Sequence, residues 1–389
     1  MGKKLDIGVN SVARKGEKAW IGIDDVARKI KKMWIGDTDG IARLFFSGGG
    51  ELKYYGTAPD FSSDRRFGAA TTVGDYALFG GGSDRNGGKI AKTDAYSSKL
   101  TKVSSPDLAP ARSHLAATAV GDYALFGGGE YSTAGATGSY VNPIDKSLTQ
   151  GNRLSLYSSV RSPAATAVGD YAIFAGGYAQ SSDAYVSMIT PFDASLTRQS
   201  VQGALRLGTA RSELAATTVG DYALFGGGST GGGAGSYQDD VTACSKSLTI
   251  TAAPKLSVAR YQLAATTVGD YAIFGGGSGE GVTAFEIDVY NSSLTKISVE
   301  APPDMTNNLA ATTVGDYALF AGGAYTNASK DVVQVFDKSL TRTLGTPLSE
   351  ARHWHMATSV GNYALFGGGM NRINNVNKLI NSVEVYCVE

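Results

Sequence analysis

Val73-Gly74-Asp75-Tyr76-Ala77-Leu78-Phe79-Gly80-Gly81-Gly82 is the stretch whose reading decides the fold. It returns, with small changes, around Gly121, Gly169, Gly220, Gly269, Gly315 and Gly361, at spacings of 46 to 51 residues. A regular period near fifty residues marks stacked supersecondary units and predicts a four-stranded propeller blade. The chain is therefore expected to be all-β, with a seven-bladed propeller of four-stranded blades over residues 51–389. Its 51 glycines recur at fixed repeat positions, which argues against disorder.

One repeat shows the layout. Leu115-Ala116-Ala117-Thr118-Ala119-Val120 is small and apolar, as the strand nearest a crowded axis must be; this is strand a. Gly121-Asp122 is a tight turn in which glycine supplies a positive φ. Tyr123-Ala124-Leu125-Phe126 is strand b, apolar on both faces because a blade is packed between two neighbours. Strand c ends near Ile144, and the turn Asp145-Lys146-Ser147-Leu148-Thr149 leads into a variable strand d.

Closure can be read from the ends. The last repeat stops at Val385-Tyr386-Cys387-Val388-Glu389 with no strand d. Glu51-Leu52-Lys53-Tyr54-Tyr55 aligns with Lys99-Leu100-Thr101-Lys102-Val103, a strand d. The N-terminal copy is therefore expected to complete the last blade and so remove the free sheet edges.

Small inner strand, aromatic-aliphatic second strand and glycine doublet together resemble the kelch repeat. The resemblance covers residues 51–389 and rests mainly on the doublet after Phe79, Phe126, Phe174, Phe225, Phe274, Phe320 and Phe366. Kelch blades usually carry a tryptophan in strand d. No repeat here has one, so atypical packing between blades is expected.

Antiparallel strands put the a–b and c–d turns on one face and the b–c and d–a loops on the other. The first face is nearly uniform, with Gly-Asp in six a–b turns and Ser-Leu-Thr in five c–d turns. The second varies: Ser83-Asp84-Arg85, Glu130-Tyr131, Tyr178-Ala179-Gln180, Ser229-Thr230-Gly231, Ser278-Gly279-Glu280, Ala324-Tyr325-Thr326 and Met370-Asn371-Arg372 follow the glycines. Loops on a rigid scaffold are where binding chemistry is usually carried. Both ends of the propeller are expected on the uniform face.

Two positions stand out on the varied face. Nine residues before the repeat glycine lie Arg65, Arg112, Val160, Arg211, Arg260, Thr306 and Arg352. The kelch resemblance implies that such arginines bind partner carboxylates, which suits their forked donors. The other reading is that they brace loops or pair with acids inside the ring. Seven residues before the glycine lie Phe67, His114, Ser162, Glu213, Gln262, Asn308 and Trp354, a diversity that suits a combining surface for sugars or a protein loop. Phe67, His114, Glu213 and Trp354, with the five arginines and the loop tyrosines Tyr131, Tyr178 and Tyr325, form the expected ligand-binding set. His355 stands where other repeats carry leucine or proline and is read as core-facing.

Catalysis has little support. There is no nucleophile motif and no zinc spacing. A copper site of the galactose-oxidase kind needs several His and Tyr with a crosslinking Cys, which three histidines do not supply. Sialidase-type Asp boxes are absent. No catalytic residue, metal or cofactor is expected. Cys244 and Cys387 fit no metal or redox spacing and read as small buried residues. Basic and acidic residues both number 35, so the chain as a whole has no nucleic-acid signature. No signal peptide and no bilayer-spanning stretch is found, which predicts synthesis in a bacterial cytoplasm without membrane insertion.

Residues 1–50 are a separate arm, with ten basic and six acidic side chains. Val12-Ala13-Arg14-Lys15, Val26-Ala27-Arg28-Lys29 and Ile41-Ala42-Arg43-Leu44 recur, separated by Trp20-Ile21-Gly22 and Trp34-Ile35-Gly36. Alternation predicts short strands, with a turn at Asp37-Thr38-Asp39-Gly40. So small a unit buries little core alone and is expected to dock on a partner or on copies of itself. These repeats resemble N-terminal segments of tail-associated proteins of phages and prophages of Gram-positive bacteria. The resemblance implies a non-enzymatic binding head on a virion tail, recognising a host surface glycan or protein and contacting other tail subunits through the arm. A bacterial kelch adaptor and a carbohydrate-active enzyme, such as a sugar-acid isomerase, are the competing readings.

Overall fold

Each copy of the repeated phrase folds as a tight hairpin. In the first, strand a (Ala69–Val73) pairs with strand b (Tyr76–Gly80) across Gly74, whose φ is +53°. The other a strands are Ala116–Val120, Ala164–Val168, Ala215–Val219, Ala264–Val268, Ala310–Val314 and Met356–Val360, each paired with a b strand in the same register. The computed structural model describes four strands within residues 19–47 and, from residue 50 on, every residue except 201–204, 232, 234, 280–281, 284–285, 327 and 375. The chain divides into two units, Met1–Glu51 and Leu52–Val388.

The second unit is a seven-bladed propeller of antiparallel sheets. In blade 7 the order is Met356–Val360, Tyr363–Gly367, Val383–Val388 and then Leu52–Ala58. The first strand of this unit thus completes the last blade, as its alignment with Lys99–Val103 predicts. Val388 N–H donates to the Asn362 carbonyl of the a–b turn, and Leu52 lies opposite Val388, so both ends of the propeller sit on the uniform face. Blade 3 differs on its outer edge. Among the described residues, strand c (Ile189–Asp193) and its flank meet strand d through isolated bridges, Phe192 to Arg198 and Met188 to Arg206. Pro191 stands at an outward-facing position: its carbonyl accepts from Gln199 N–H at 3.0 Å, but it has no N–H to return the bond.

The core lies between blades. Leu78 and Ala95 of blade 1 pack with Ala124, Phe126 and Ile144 of blade 2, and the other interblade clusters repeat this plan. Strand b contributes one phenylalanine per blade, and in five blades it meets a strand c aromatic edge-on: Phe79–Tyr96, Phe174–Phe192, Phe274–Tyr290, Phe320–Phe336 and Phe366–Tyr386. Ile144 and Cys244 replace the aromatic in blades 2 and 4; Cys244 and Cys387 are both buried, and neither forms a disulfide.

Two closed circuits of backbone hydrogen bonds join the blades. In one, the third glycine of each b–c loop donates to the next blade: Gly82 N–H to Arg112 O at 2.9 Å and so round to Gly369 N–H to Arg65 O at 2.8 Å. The middle glycine of the triplet has no room for a side chain, since a Cβ on Gly81 would lie 2.6 Å from Arg112 O. The second circuit rims the channel and is described below.

The uniform face owes its uniformity to packing. Asp145 Oδ1 accepts from Ser147 N–H and Thr149 N–H, both at 2.9 Å, and Asp193, Asn291 and Asp337 do the same in their turns. The leucine of each Ser-Leu-Thr turn holds a left-handed φ of 57–64° and turns its side chain toward the interblade clusters. Lys146, Lys246 and Lys338 bridge to Asp122, Asp221 and Asp316 of the a–b turns.

In the first unit, strands Ala19–Ile23 and Val26–Ile30 form one hairpin, and Lys32–Gly36 and Ala42–Ser47 another. Short strands are therefore found where alternation predicts them. The Val12–Lys15 repeat and the Asp37–Gly40 turn lie outside the described residues.

Closure by Leu52–Ala58 predicts a sharp boundary for truncation. Removing residues 1–49 should leave the propeller melt within a few degrees of the full chain. Removing 1–60 strips strand d from blade 7, exposes Val383 and Val385, and should lower Tm by ten degrees or more in calorimetry.

Candidate functional site

The varied face is assembled by seven equivalent bridges between the d–a and b–c loops: Arg66–Ser83, Ser113–Glu130, Arg161–Tyr178, Ser212–Ser229, Tyr261–Ser278, Asn307–Ala324 and His353–Met370. Immediately after each bridge the chain turns into strand a through one residue with a left-handed backbone. These are Phe67, His114, Ser162, Glu213, Gln262, Asn308 and Trp354, with φ between 51° and 60°. That turn aims each N–H at the neighbouring blade. His114 N–H donates to Phe67 O at 2.8 Å, Ser162 to His114 at 2.8 Å, Glu213 to Ser162 at 3.2 Å, Gln262 to Glu213 at 3.1 Å, Asn308 to Gln262 at 3.0 Å, Trp354 to Asn308 at 3.0 Å, and Phe67 back to Trp354 at 3.2 Å. Seven peptide groups thus close a belt around the channel mouth.

Left-handed φ costs a non-glycine residue roughly 1–2 kcal/mol. None of the seven is glycine. On the uniform face the same backbone conformation is occupied by leucines that pack into the core. At the belt the side chains instead line a cavity of about 400 Å3 at the mouth of the channel, with His355 and the Leu115, Leu214, Leu263 and Leu309 side chains beneath them.

This funnel is two-sided. Blades 7, 1 and 2 supply a column of rings: Trp354 lies 4.5 Å from Phe67, and Phe67 stacks on His114 at 4.1 Å. The Arg66 guanidinium covers Phe67 and Trp354 at 5.0 and 5.2 Å. Blades 3 to 6 supply Ser162, Glu213, Gln262 and Asn308. Gln262 Oε1 accepts from Asn308 Nδ2 at 3.0 Å, while the buried Glu213 Oε2 has no hydrogen-bond partner among the described residues.

His114 is held from behind. Its Nδ1 lies 3.1 Å from Ser113 Oγ and 3.4 Å from Glu130 Oε1. Glu130 also receives Lys89 Nζ, and Arg161 stands 3.6 Å from its other oxygen. Burial alone would raise the Glu130 pKa, but hydrogen bonds from His114 and Lys89 outweigh it and hold the carboxyl down at about 2. Glu130 is the residue that the repeat comparison misses as a site component, because its partners come from three blades.

The five arginines are not ligand contacts. Arg65, Arg112, Arg211, Arg260 and Arg352 are wholly buried. Each lies under the belt and donates to backbone of its own blade: Arg65 to Phe79 O, Arg112 to Phe126 O, Arg211 to Phe225 O, Arg260 to Phe274 O and Arg352 to Gly368 O. In three blades strand c supplies a buried acid as well, Asp94 at 2.7 Å from Arg65, Asp288 at 2.7 Å from Arg260 and Glu384 at 2.9 Å from Arg352. In blades 2 and 4 the matching strand c positions hold Asn142 and Thr242 instead, and burial lowers the Arg112 and Arg211 pKa values to about 10. The bracing reading holds, because the left-handed turn two residues later directs position 67 and its equivalents outward and leaves the arginine beneath.

The tyrosines sit outside the funnel on the same face. Tyr131 and Tyr325 are exposed; Tyr178 is half-buried, its ring packed edge-on against Tyr185 and covered by Arg161 at 5.2 Å. His355 is buried, as its leucine-like repeat position predicts. Among the described residues, no group of three or more His, Cys, Asp or Glu is placed to hold a metal ion, and no helix is long and apolar enough to cross a membrane. Compared with models of known protein families and with curated proteins, the chain matches none.

Two predictions follow from the buried charges and imidazoles. Arg352→Met strands Glu384 among neutral donors, Tyr54 and Ser349, and should cost about 3–5 kcal/mol in urea unfolding, whereas Arg112→Met strands no acid and should cost about 1 kcal/mol or less. His353 is held at a pKa of about 4 by burial, and burial drives His355 well below its usual 6.5. Both therefore favour the folded state fully above pH 6.5, and that contribution falls away as pH drops toward the folded-state values. His355→Leu, the residue of four other blades, should raise Tm at pH 5 and flatten the pH dependence of Tm between 6.5 and 4.

Proposed function

We propose that this protein is a non-enzymatic binding head that recognises a bacterial surface glycan or protein through the channel mouth and the surrounding loops. The observation that carries the reading is the belt of seven left-handed residues, all non-glycine and of six different chemical kinds, around one cavity. Unlike the leucines of the uniform face, these side chains line the cavity instead of packing into the interblade core, and strained positions of this kind cluster where a protein binds. The exposed Tyr131 and Tyr325 extend the same face. On the opposite face the repeated c–d turn residues have packing and hydrogen-bonding reasons, and both ends of the propeller lie on it. A head held from that side presents the funnel outward.

The arm completes the reading. Its short Val-Ala-Arg-Lys and Trp-Ile-Gly repeats resemble the tail-associated segments named above, and we assign the protein to a phage or prophage tail structure, with the arm contacting other tail subunits. The kelch-like blade pattern suits such a recognition role as well.

The test is binding of the labelled full chain to a panel of Gram-positive cells and isolated walls, beside a screen for turnover of neutral and acidic sugars. Tyr131→Ala, Tyr178→Ala and Tyr325→Ala should together weaken binding at least about fivefold, equivalent to roughly 1 kcal/mol. Lys146→Ala and Lys338→Ala on the uniform face should change nothing. Sugar turnover, or binding only to cytoplasmic proteins, would replace this reading with the enzyme or the adaptor.

A further inference from the structure

We infer that the funnel seats a neutral pyranose, with an apolar C–H face against the Trp354–Phe67–His114 wall and hydroxyl groups donating to Glu213 across the mouth. The inference rests on the binding-head reading and names its ligand class.

Four observations lead to it. First, the cavity of about 400 Å3 falls in the usual range for small-ligand sites, roughly 300–1,000 Å3. Second, its two sides differ in kind: three contiguous rings on one, four polar side chains on the other. A sugar ring carries apolar C–H groups on its faces and hydroxyls at its rim, and matches both sides at once.

Third, the polar side asks for donors. The half-buried Glu213 lines the cavity, and its inner oxygen, Oε2, has no hydrogen-bond partner among the described residues, so the carboxylate is under-satisfied until a donor arrives. On His114, Nδ1 faces the Glu130 carboxylate, so the proton belongs on Nδ1 and Nε2 is left as an acceptor. Fourth, the cations that would draw an acidic sugar or a phosphate are withdrawn or engaged. The five arginines are buried beneath the belt, and Arg66 is spread over Phe67 and Trp354 with its Nη1 against Met370 Sδ at 3.2 Å. An anion at the mouth would instead meet the Glu213 carboxylate. Glu130 is the positioning residue of this arrangement, since it fixes the tautomer that His114 presents.

The experiment uses the full chain and a cell panel member that it binds. Trp354 is isolated as a fluorescence reporter by Trp20→Phe and Trp34→Phe. Wall polysaccharide from that cell is separated into neutral and anionic fractions, and each is titrated as competitor and as fluorescence ligand. The neutral fraction should compete and shift Trp354 emission, and simple neutral methyl glycosides should do so more weakly. Glu213→Gln should weaken binding about tenfold, the loss of one charge-assisted hydrogen bond, and Trp354→Ala should abolish it, both with unchanged melts. Glu130→Gln should weaken it, because the His114 ring is no longer held, and Glu130→Asp should restore part of it. Competition by the anionic fraction alone, preference for glucosamine over glucose, loss of binding after protease treatment of the cells, or full binding by Glu213→Gln and Trp354→Ala would each overturn the inference while leaving a binding head. Failure to bind any cell or wall would overturn the binding-head reading itself.

Discussion

Everything at the channel mouth follows from the belt of seven peptide hydrogen bonds. A propeller has no single sheet to hold its blades in register, so the register must come from contacts between innermost strands. Here each d–a loop ends in a residue whose N–H is offered to the blade before it, and the circle closes from Phe67 to Trp354. That geometry requires a left-handed φ at every station. The strain is repeated seven times, and it persists because each station is tied on both sides. The glycine circuit one layer outward ties the same blades again, through loops that tolerate no Cβ.

Beneath the belt, charge is used as scaffold. A guanidinium in a dry interior is unfavourable unless its donors are met, and here backbone carbonyls of strand b and, in three blades, acids of strand c meet the terminal Nη donors. Arg65, Arg260 and Arg352 occur with Asp94, Asp288 and Glu384, and each of these blades also carries a buried tyrosine two residues on, Tyr96, Tyr290 or Tyr386. Val160 and Thr306 stand with Thr190 and Gln334, where neither charge is present. Arginine and acid are therefore kept or dropped together in five blades, as expected when a lone buried charge is worse than none. Blades 2 and 4 keep the arginine on neutral acceptors alone.

The two faces answer to different constraints. On the uniform face, Asx-type turns, buried leucines and Lys–Asp bridges leave little freedom, so the repeats stay alike for structural reasons. Uniformity there is thus no argument for function on the other side. The argument comes instead from the belt, where backbone conformation is rigidly specified and side-chain identity is not. Fixed backbone with free side chains is the condition under which a symmetric scaffold can present an asymmetric site. The aromatic half and the polar half of the funnel are that asymmetry.

The sequence by itself determined the repeat, the strand order within a blade, the seven-fold count, the closing strand near Leu52–Tyr55 and the burial of His355, because these rest on local pattern and on comparison between copies. It also placed Phe67, His114, Glu213 and Trp354 at one topological station. A signal for the arginines was present in the repeats, since a strand c acid appears only where an arginine precedes it. Only the tertiary structure decided that these arginines lie under the rim and the residues two positions on lie over it. The reason is a single backbone dihedral: the left-handed turn at each belt residue reverses which side chain faces the channel, and that turn is imposed by the neighbouring blade. The Glu130 network was likewise invisible in the chain, because Lys89, His114 and Arg161 reach it from three different repeats and meet only when the ring is closed.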